Sequence, residues 1–313
     1  MPQHPCAIIA LGEPLFEFSF EEEGAAPMGR CLSGFGGDVS NFAVAASRAG
    51  AAVGICTRLG ADPFGDAFLA MWREEGVDTS LVERTPDAPT GLYFISRSNG
   101  AHQFTYYRAG SAASRMGPGF APRDAIRAAR LLHFSGVTQG ISASACEASF
   151  AALGAAREAG VPVSYDPNYR PLFWSVERAR GIIHETASHA DYFFPSLDEA
   201  RLLTGMSDPE DIASFYLCLG AGTVCLKLGK DGVFLATGQG ARYIPSLPVQ
   251  AVDASGAGDI FAGAFAARRV EGDGLEESAR FATVMAALST TRLGCVRSIP
   301  RLAEVRERLA QGA

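Results

Sequence analysis

Short β-branched or aromatic runs alternate with longer alanine-rich helical stretches over most of this chain, and that alternation limits the architectures open to it. Strand-like runs occupy residues 6–11, 52–59, 131–134, 161–166, 192–195 and 223–228. Helical patterns fill the intervals at 39–49, 63–75, 142–159, 176–189 and 209–219. Such alternation predicts an α/β fold, a three-layer α/β/α sandwich whose mostly parallel sheet is covered by helices on both faces. In sheets of this kind ligands collect beyond the carboxyl ends of the strands.

Two segments break the rhythm. Residues 13–35 are rich in glycine and phenylalanine and have no helical period, and residues 92–97 and 103–108 are strand-like runs joined by Ser98-Asn99-Gly100, whose Asn-Gly pair favours a hairpin. Neither has the continuous apolar character of a buried parallel strand. They are expected to form a small β-sheet lid over the ligand edge, built from about 13–35 and 90–110 of a single domain spanning 1–313. After Val249 the chain turns almost wholly helical, at 258–270, 275–292 and 301–309. The first two of these are rich in alanine and glycine, which permits close packing.

Composition excludes several function classes. The 27 Lys and Arg residues are outnumbered by 34 Asp and Glu, a net charge of −7, and no basic run of the kind that grips nucleic acid is present. The seven cysteines are scattered, with no Cys-x-x-Cys or Cys/His ligand spacing, so neither a disulfide framework nor a zinc site is expected. They read as reduced thiols of a cytoplasmic protein. Met1-Pro2-Gln3-His4 places no positive residue before the first apolar run. That run is too short for a signal peptide or a membrane span.

The sharpest chemical signal is Asp253-Ala254-Ser255-Gly256-Ala257-Gly258-Asp259, followed by the apolar helical run from Ile260. Three small residues deliver the chain into a helix whose first turn holds an acid. Small residues let the N–H groups at a helix start face an anion, and the helix dipole favours negative charge there. Asp259 alone is either an acid that suits the dipole or a base beside a phosphate site, placed to take the proton of an attacking hydroxyl. The Gly-Ala-Gly approach is of little use to a plain cap and shifts the balance toward the base.

Asp-x-x-Gly-Ala-Gly-Asp resembles the C-terminal signature of the ribokinase-like (PfkB) carbohydrate kinases. A second signature of that family, a Gly-Gly pair followed four residues later by Asn, is present as Gly36-Gly37-Asp38-Val39-Ser40-Asn41. The resemblance covers nearly the whole chain. It implies ATP and Mg²⁺ as cofactors, optionally a monovalent cation such as K⁺, Asp259 as base, and the backbone of Gly256, Ala257 and Gly258 as anion hole. It also implies homodimers paired through the lids. Lys227-Leu228-Gly229-Lys230-Asp231-Gly232 is similar to the family's nucleotide turn, assigning Lys227, Gly229 and Gly232 to ATP. A hairpin turn alone would read the same. Ser196-Leu197-Asp198-Glu199 stands where the family has Asn-x-x-Glu. Glu199 is thus expected near Mg²⁺, through water, and Ser196 near the nucleotide. Thr283 occupies a place that often lines the adenine pocket, and Ala254 replaces the commoner Thr.

Within the family the substrate end sets identity. Tyr106-Tyr107-Arg108 ends the hairpin and Asp166-Pro167-Asn168-Tyr169-Arg170 ends a strand. A guanidinium binds a carboxylate by paired, charge-assisted hydrogen bonds, so two arginines at one edge suggest an acidic substrate, although either could be an ordinary surface Arg. These runs, with Gly12-Glu13-Pro14-Leu15 and Pro89-Thr90-Gly91-Leu92-Tyr93-Phe94, resemble the 2-keto-3-deoxygluconate kinase branch. That resemblance implies that Gly37, Asp38, Tyr93, Tyr106, Arg108 and Arg170 hold a sugar acid whose C6 hydroxyl faces Asp259. A fructokinase is the nearest alternative, and a non-catalytic regulator on the same fold is a more distant one. No Gly-x-Gly-x-x-Gly follows the first strand and no Gly-x-x-x-x-Gly-Lys-Ser/Thr occurs, which argues against a dehydrogenase and a P-loop kinase.

Overall fold

A computed structural model describes residues 6–23, 29–98 and 101–312. Met1-Pro2-Gln3-His4 and the Asn99-Gly100 pair of the expected turn lie outside the described residues. The chain enters through β1 (Ile8–Leu11), in which all four residues are buried. It then leaves the main sheet for β2 (Leu15–Glu23) and β3 (Cys31–Gly36), which pair antiparallel. α1 (Asp38–Arg48) leads back to β4 (Val53–Gly60), α2 (Pro63–Glu74) and the short β5 (Val82–Thr85). Asp62 starts α2, its carboxylate accepting the Gly65 N–H at 2.8 Å, with Pro63 in the first helical turn. β6 (Leu92–Ser98) and β7 (Ala101–Tyr107) pair antiparallel with each other.

The second half follows the alternation closely. α3 (Arg123–Ala128) precedes β8 (Leu131–Ser135), after which come α4 (Gly136–Gly140), α5 (Ala143–Ala159) and β9 (Val163–Asp166). Next are α6 (Val176–Ala187), the two-residue β10 (Tyr192–Phe193), α7 (Leu197–Thr204), α8 (Pro209–Leu219) and β11 (Thr223–Lys227). β12 (Val233–Thr237) and β13 (Gly240–Ile244) form an antiparallel edge. The helical tail comprises α9 (Ala257–Glu271), α10 (Leu275–Ser289), α11 (Cys295–Ser298) and α12 (Leu302–Ala310).

Nine strands form the main sheet in the order β13-β12-β11-β10-β9-β8-β1-β4-β5, all parallel except β12, which runs antiparallel to its neighbours β11 and β13. A separate four-stranded sheet has the order β3-β2-β6-β7, with β2 and β6 parallel. The α/β fold with a large, mostly parallel sheet and a small second sheet is therefore as the alternation and its two interruptions suggest. The edge strands β12 and β13 were not anticipated. Their few residues have no following helix, so the βα rhythm that exposed the other strands is missing. The expected strand 192–195 shortens to two residues before Pro195, which has no N–H for a ladder.

Alternation along β1 divides the interior. Ile8 and Ala10 join the apolar layer that contains α1, α9 and α10, whereas Ile9 and Leu11 join the layer under α5, α6 and α8. Among the described residues no helix is long and apolar enough to cross a membrane. The order in which strands are added to the sheet reverses between the parallel neighbours β1 and β8, which opens a crevice at the carboxyl ends of these strands.

One helix crossing fixes the geometry beside that crevice. A methyl group built on Gly263 of α9 would lie 2.4 Å from the Phe42 carbonyl oxygen of α1, so the two backbones touch. Replacing Gly263 by Val should force these helices apart and cost about 1–3 kcal/mol. Thermal unfolding should record a melting point lower by several degrees; an unchanged one would show that the crossing has slack.

Candidate active site

Two cavities open at the carboxyl ends of the strands, one on each side of residues 254–259. The first, about 330 Å³, lies between the small sheet and the main sheet and is lined by Asp38, Tyr93, Tyr106, Arg108, Asn168, Arg170 and Asp259, among others. The second, about 490 Å³ and more apolar, is lined by Lys227, Gly229, Gly232, Ala254, Thr283 and their neighbours. Gly256 and Asp259 face the first cavity, and Ala257 and Gly258 face the second. The start of α9 is thus their common wall.

Backbone geometry explains the small residues there. Gly256 is the N-cap of α9 in the left-handed region, φ 75°, and no side chain caps this helix end. Apart from the Ala257 N–H, which donates to the Ala254 carbonyl at 3.2 Å, its first-turn N–H groups and the positive end of the dipole are left for an anion. Gly37, at φ 88°, precedes α1 in the same manner, and a methyl group on it would meet the Glu13 carbonyl oxygen at 2.6 Å. Both signatures therefore mark conformations that favour glycine. The tight α1–α9 crossing then brings them together. Asn41 Nδ2 of the first donates to Asp259 Oδ2 of the second at 2.9 Å, across 218 positions of sequence.

Asp259 is half-buried among other carboxylates. Desolvation and the nearby Asp38 push its pKa up to about 7, with Asp166 adding to the rise and Asn41 and Lys227 opposing it. Asp38 is also raised by burial. Between them lies Asn168, whose Nδ2 is 3.1 Å from Asp38 Oδ2 and 3.3 Å from Asp259 Oδ1. On the other flank, Lys227 Nζ is 2.5 Å from Asp166 Oδ2. Burial would lower the lysine pKa, but Asp166 and Glu199 outweigh it and raise the value. The same Nζ is 3.2 Å from where a Cβ on Gly258 would be, so this cation lies against the start of α9.

The small sheet brings the remaining substrate-side residues. Along β7, Tyr106 faces the cavity whereas Tyr107 is 64% exposed, as strand alternation requires. Tyr93 stacks on Tyr106 with ring centroids 5.7 Å apart and donates its hydroxyl hydrogen to Glu17. Arg108 and Arg170 line one cavity, as the sequence suggests, but in different states. Arg108 is buried, ion-paired with Glu13, and stacked 4.3 Å from the centre of the Phe173 ring. Its Nε and Nη1 have no hydrogen-bond partner among the described residues. Glu13 is fully buried, accepts the Ser111 hydroxyl at 2.5 Å, and has a raised pKa because desolvation exceeds the effect of Arg108. The guanidinium is thus not a free surface charge: Glu13 already neutralises it. Arg170 is half-exposed and only 3.5 Å from Glu199.

Ser196 and Glu199 form a capping box on α7, in which each binds the other's backbone N–H. Neither lines the two cavities, so the Ser-x-x-Glu run has a structural role of its own. Glu199 is nonetheless buried close to Lys227 and Asp166, and burial raises its pKa. Among the described residues no three Asp, Glu, His or Cys side chains are grouped to hold a metal by themselves. Asp166 and Glu199, beside an uncapped helix start, fit a Mg²⁺ ion that arrives with phosphates and keeps most of its waters. The Lys227–Gly232 segment is indeed a turn between antiparallel strands, closed by Leu228 N–H to the Gly232 carbonyl at 2.8 Å, and it also borders the second cavity. Thr283 lines that cavity while its hydroxyl donates to the Ala279 carbonyl at 2.8 Å.

Sequence reasoning assigned no role to Glu13, Glu17, Asn41, Asp166 or Asn168. Asp166 and Asn168 had a usable signal, since polar residues at the carboxyl end of a buried strand point into the ligand crevice. The glutamates had none, because residues 13–35 lack the periodicity that would say which side chains turn inward.

Comparison with known proteins agrees with this arrangement. Residues 8–302 match the family model described as pfkB family carbohydrate kinase. The 2-dehydro-3-deoxygluconokinase of Bacillus subtilis (strain 168) is 34% identical over 307 residues, covering 96% of this chain and 94% of its own length. Fructokinase-1 of Zea mays is 33% identical over 311 residues, covering 95% and 96%. Among solved structures, a putative ribokinase II from E. coli in complex with ATP and Mg²⁺ superposes with a TM-score of 0.91 at 25% identity, covering 98% of this chain and 99% of that one.

The Glu13–Arg108 pair yields a direct test. Glu13→Ala would leave Arg108 buried without its counter-charge, which is expected to destabilise the fold by about 3–5 kcal/mol. Chemical denaturation should show the loss, and Glu13→Ala, Arg108→Met should recover part of it. A Glu13→Ala protein as stable as the parent would contradict the pairing.

Proposed function

The chain belongs to the pfkB family of carbohydrate kinases, and we propose that it transfers the γ-phosphoryl group of ATP to the C6 hydroxyl of 2-keto-3-deoxygluconate (2-dehydro-3-deoxygluconate). The wall shared by the two cavities carries the reading. A sugar in the first and a nucleotide in the second would meet across Gly256, Ala257, Gly258 and Asp259, so the hydroxyl and the γ-phosphate approach from opposite sides of one helix start.

Asp259 is the base in this scheme. A carboxyl with a pKa of about 7 is largely ionised just above neutrality, yet basic enough to accept a proton as the new O–P bond forms. The uncapped N–H groups of α9 and the adjacent Lys227 stabilise charge developing on the transferred group. Mg²⁺, held by the phosphates with Asp166 and Glu199 nearby, would supply further neutralisation of phosphate charge when bound. Gly229, Gly232 and Thr283 border the nucleotide, and Ser196 acts through the capping of α7 rather than by contact. Gly37, Asp38, Tyr93, Tyr106, Arg108 and Arg170 hold the sugar end, under the small sheet acting as lid to a single kinase domain. Seven cysteines without a disulfide suit a reducing cytoplasm.

Arg170 supports an acidic substrate most directly, being the half-exposed guanidinium of the cavity. The neutralisation of Arg108 by Glu13 favours a second reading, a neutral-sugar kinase such as a fructokinase. Kinetics with 2-keto-3-deoxygluconate and fructose separate the two. Arg170→Ala should raise KM for the sugar acid more than for fructose; equal changes would remove the carboxylate role. Asp259→Asn should keep ATP affinity but lower turnover about 10²–10⁴-fold, and near-parental turnover would end the assignment of the base.

A further inference from the structure

Asn168 is the one non-glycine residue among the described residues with a positive φ, 37°. It is nearly buried, and the Asp166 carboxylate accepts its N–H at 3.0 Å, which fixes the backbone turn at the end of β9. Left-handed backbone is uncommon for side-chain-bearing residues and is easiest for Asn and Asp. Here it sends a carboxamide between two half-buried carboxylates. The Nδ2 group has two hydrogens, and the two acceptors within reach are Asp38 Oδ2 at 3.1 Å and Asp259 Oδ1 at 3.3 Å. The other Asp259 oxygen accepts from Asn41 at 2.9 Å.

We propose that Asn168 is a positioning residue for the base: one carboxamide, donating to Asp38 and Asp259 together, holds the two carboxylates side by side and keeps Asp259 aimed at the first cavity. This rests on Asp259 being the base. The physical case is one of charge. Asp38 from the start of α1 and Asp166 from the end of β9 both oppose ionisation of Asp259, whereas Lys227 from β11 favours it, and the Cys295 thiol of α11 is held in its neutral form partly by Asp259 itself. Two like charges in contact are tolerated when donors bridge them. Asn41 serves Asp259 alone, whereas Asn168 contacts both members of the pair, so its loss removes a donor from each at once.

The backbone requirement and the side-chain role can be separated. Glycine accepts a φ of 37° without strain, so Asn168→Gly keeps the turn and removes only the carboxamide. The sign comes from the lost donors: a carboxylate deprived of a hydrogen bond is harder to ionise. The acid limb of the kcat/KM profile for sugar, expected near Asp259's value of about 7 in the parent, should move to higher pH by about one unit in Asn168→Gly. kcat at neutral pH should fall about tenfold or more while KM for ATP stays within about twofold, since the second cavity does not include Asn168. An unshifted limb in Asn168→Gly would overturn the proposal and leave Asn168 a turn residue. If that variant does not fold, Asn168→Ala decides by the same reading: it lacks both donors, adds no charge, tolerates this φ at a cost of about 1–2 kcal/mol, and should shift the limb in the same direction, an unshifted limb overturning the proposal. Failure here is distinct from failure of the base assignment, because an active Asp259→Asn enzyme refutes the latter whatever Asn168 does.

Discussion

The contact of α1 with α9 is the constraint on which the site depends. At Gly263 the backbones meet with no room for a methyl group, and a wider separation would break the Asn41–Asp259 hydrogen bond. The helix starts that carry the two signatures would then part. A phosphoryl-transfer site needs an anion-binding helix end and a base in fixed relation. Here the uncapped helix end and the candidate base belong to one helix, α9, and its neighbour α1 sets the environment of Asp259. Alanine and glycine on these helices therefore serve a geometric purpose, giving up side-chain burial for proximity.

That proximity concentrates charge. Asp38, Asp166, Glu199 and Asp259 occupy one crevice with Lys227 among them, at a depth where each isolated carboxylate would be costly. Three devices offset the cost: the Lys227–Asp166 pair, the amides of Asn41 and Asn168, and the N-terminal dipole ends of α1, α7 and α9, which begin beside Asp38, Glu199 and Asp259. The residual strain shows in the raised value of Asp259, which a catalyst of proton transfer near neutral pH can use. At the far end of the first cavity the balance differs. The buried Glu13–Arg108 pair contrasts with the half-exposed Arg170, which lies 3.5 Å from Glu199.

Much of this was legible in the linear chain. The spacing of apolar runs carried the layered α/β plan because most of the parallel strands alternate with helices, and Gly-Ala-Gly-Asp marked a helix start because a left-handed N-cap needs glycine. β12 and β13 escaped notice because short antiparallel edge strands leave no helix behind them. Ser196 and Glu199 were read for their chemistry, yet the same two residue types at the same spacing are also those of a capping box, and only coordinates distinguish the uses.

By itself, then, the amino-acid sequence determined the layers, the helix start at Gly256, the candidate base and the family to which these belong, since local backbone preference and short-range spacing suffice for each. Tertiary structure alone decided which charges face one another. That Glu13 neutralises Arg108, that Lys227 pairs with Asp166 against Gly258, and that Asn168 lies between Asp38 and Asp259 are all products of burial and long-range packing. Electrostatics at such distances depends on what surrounds a group, and no residue's surroundings are written in its immediate neighbours along the chain.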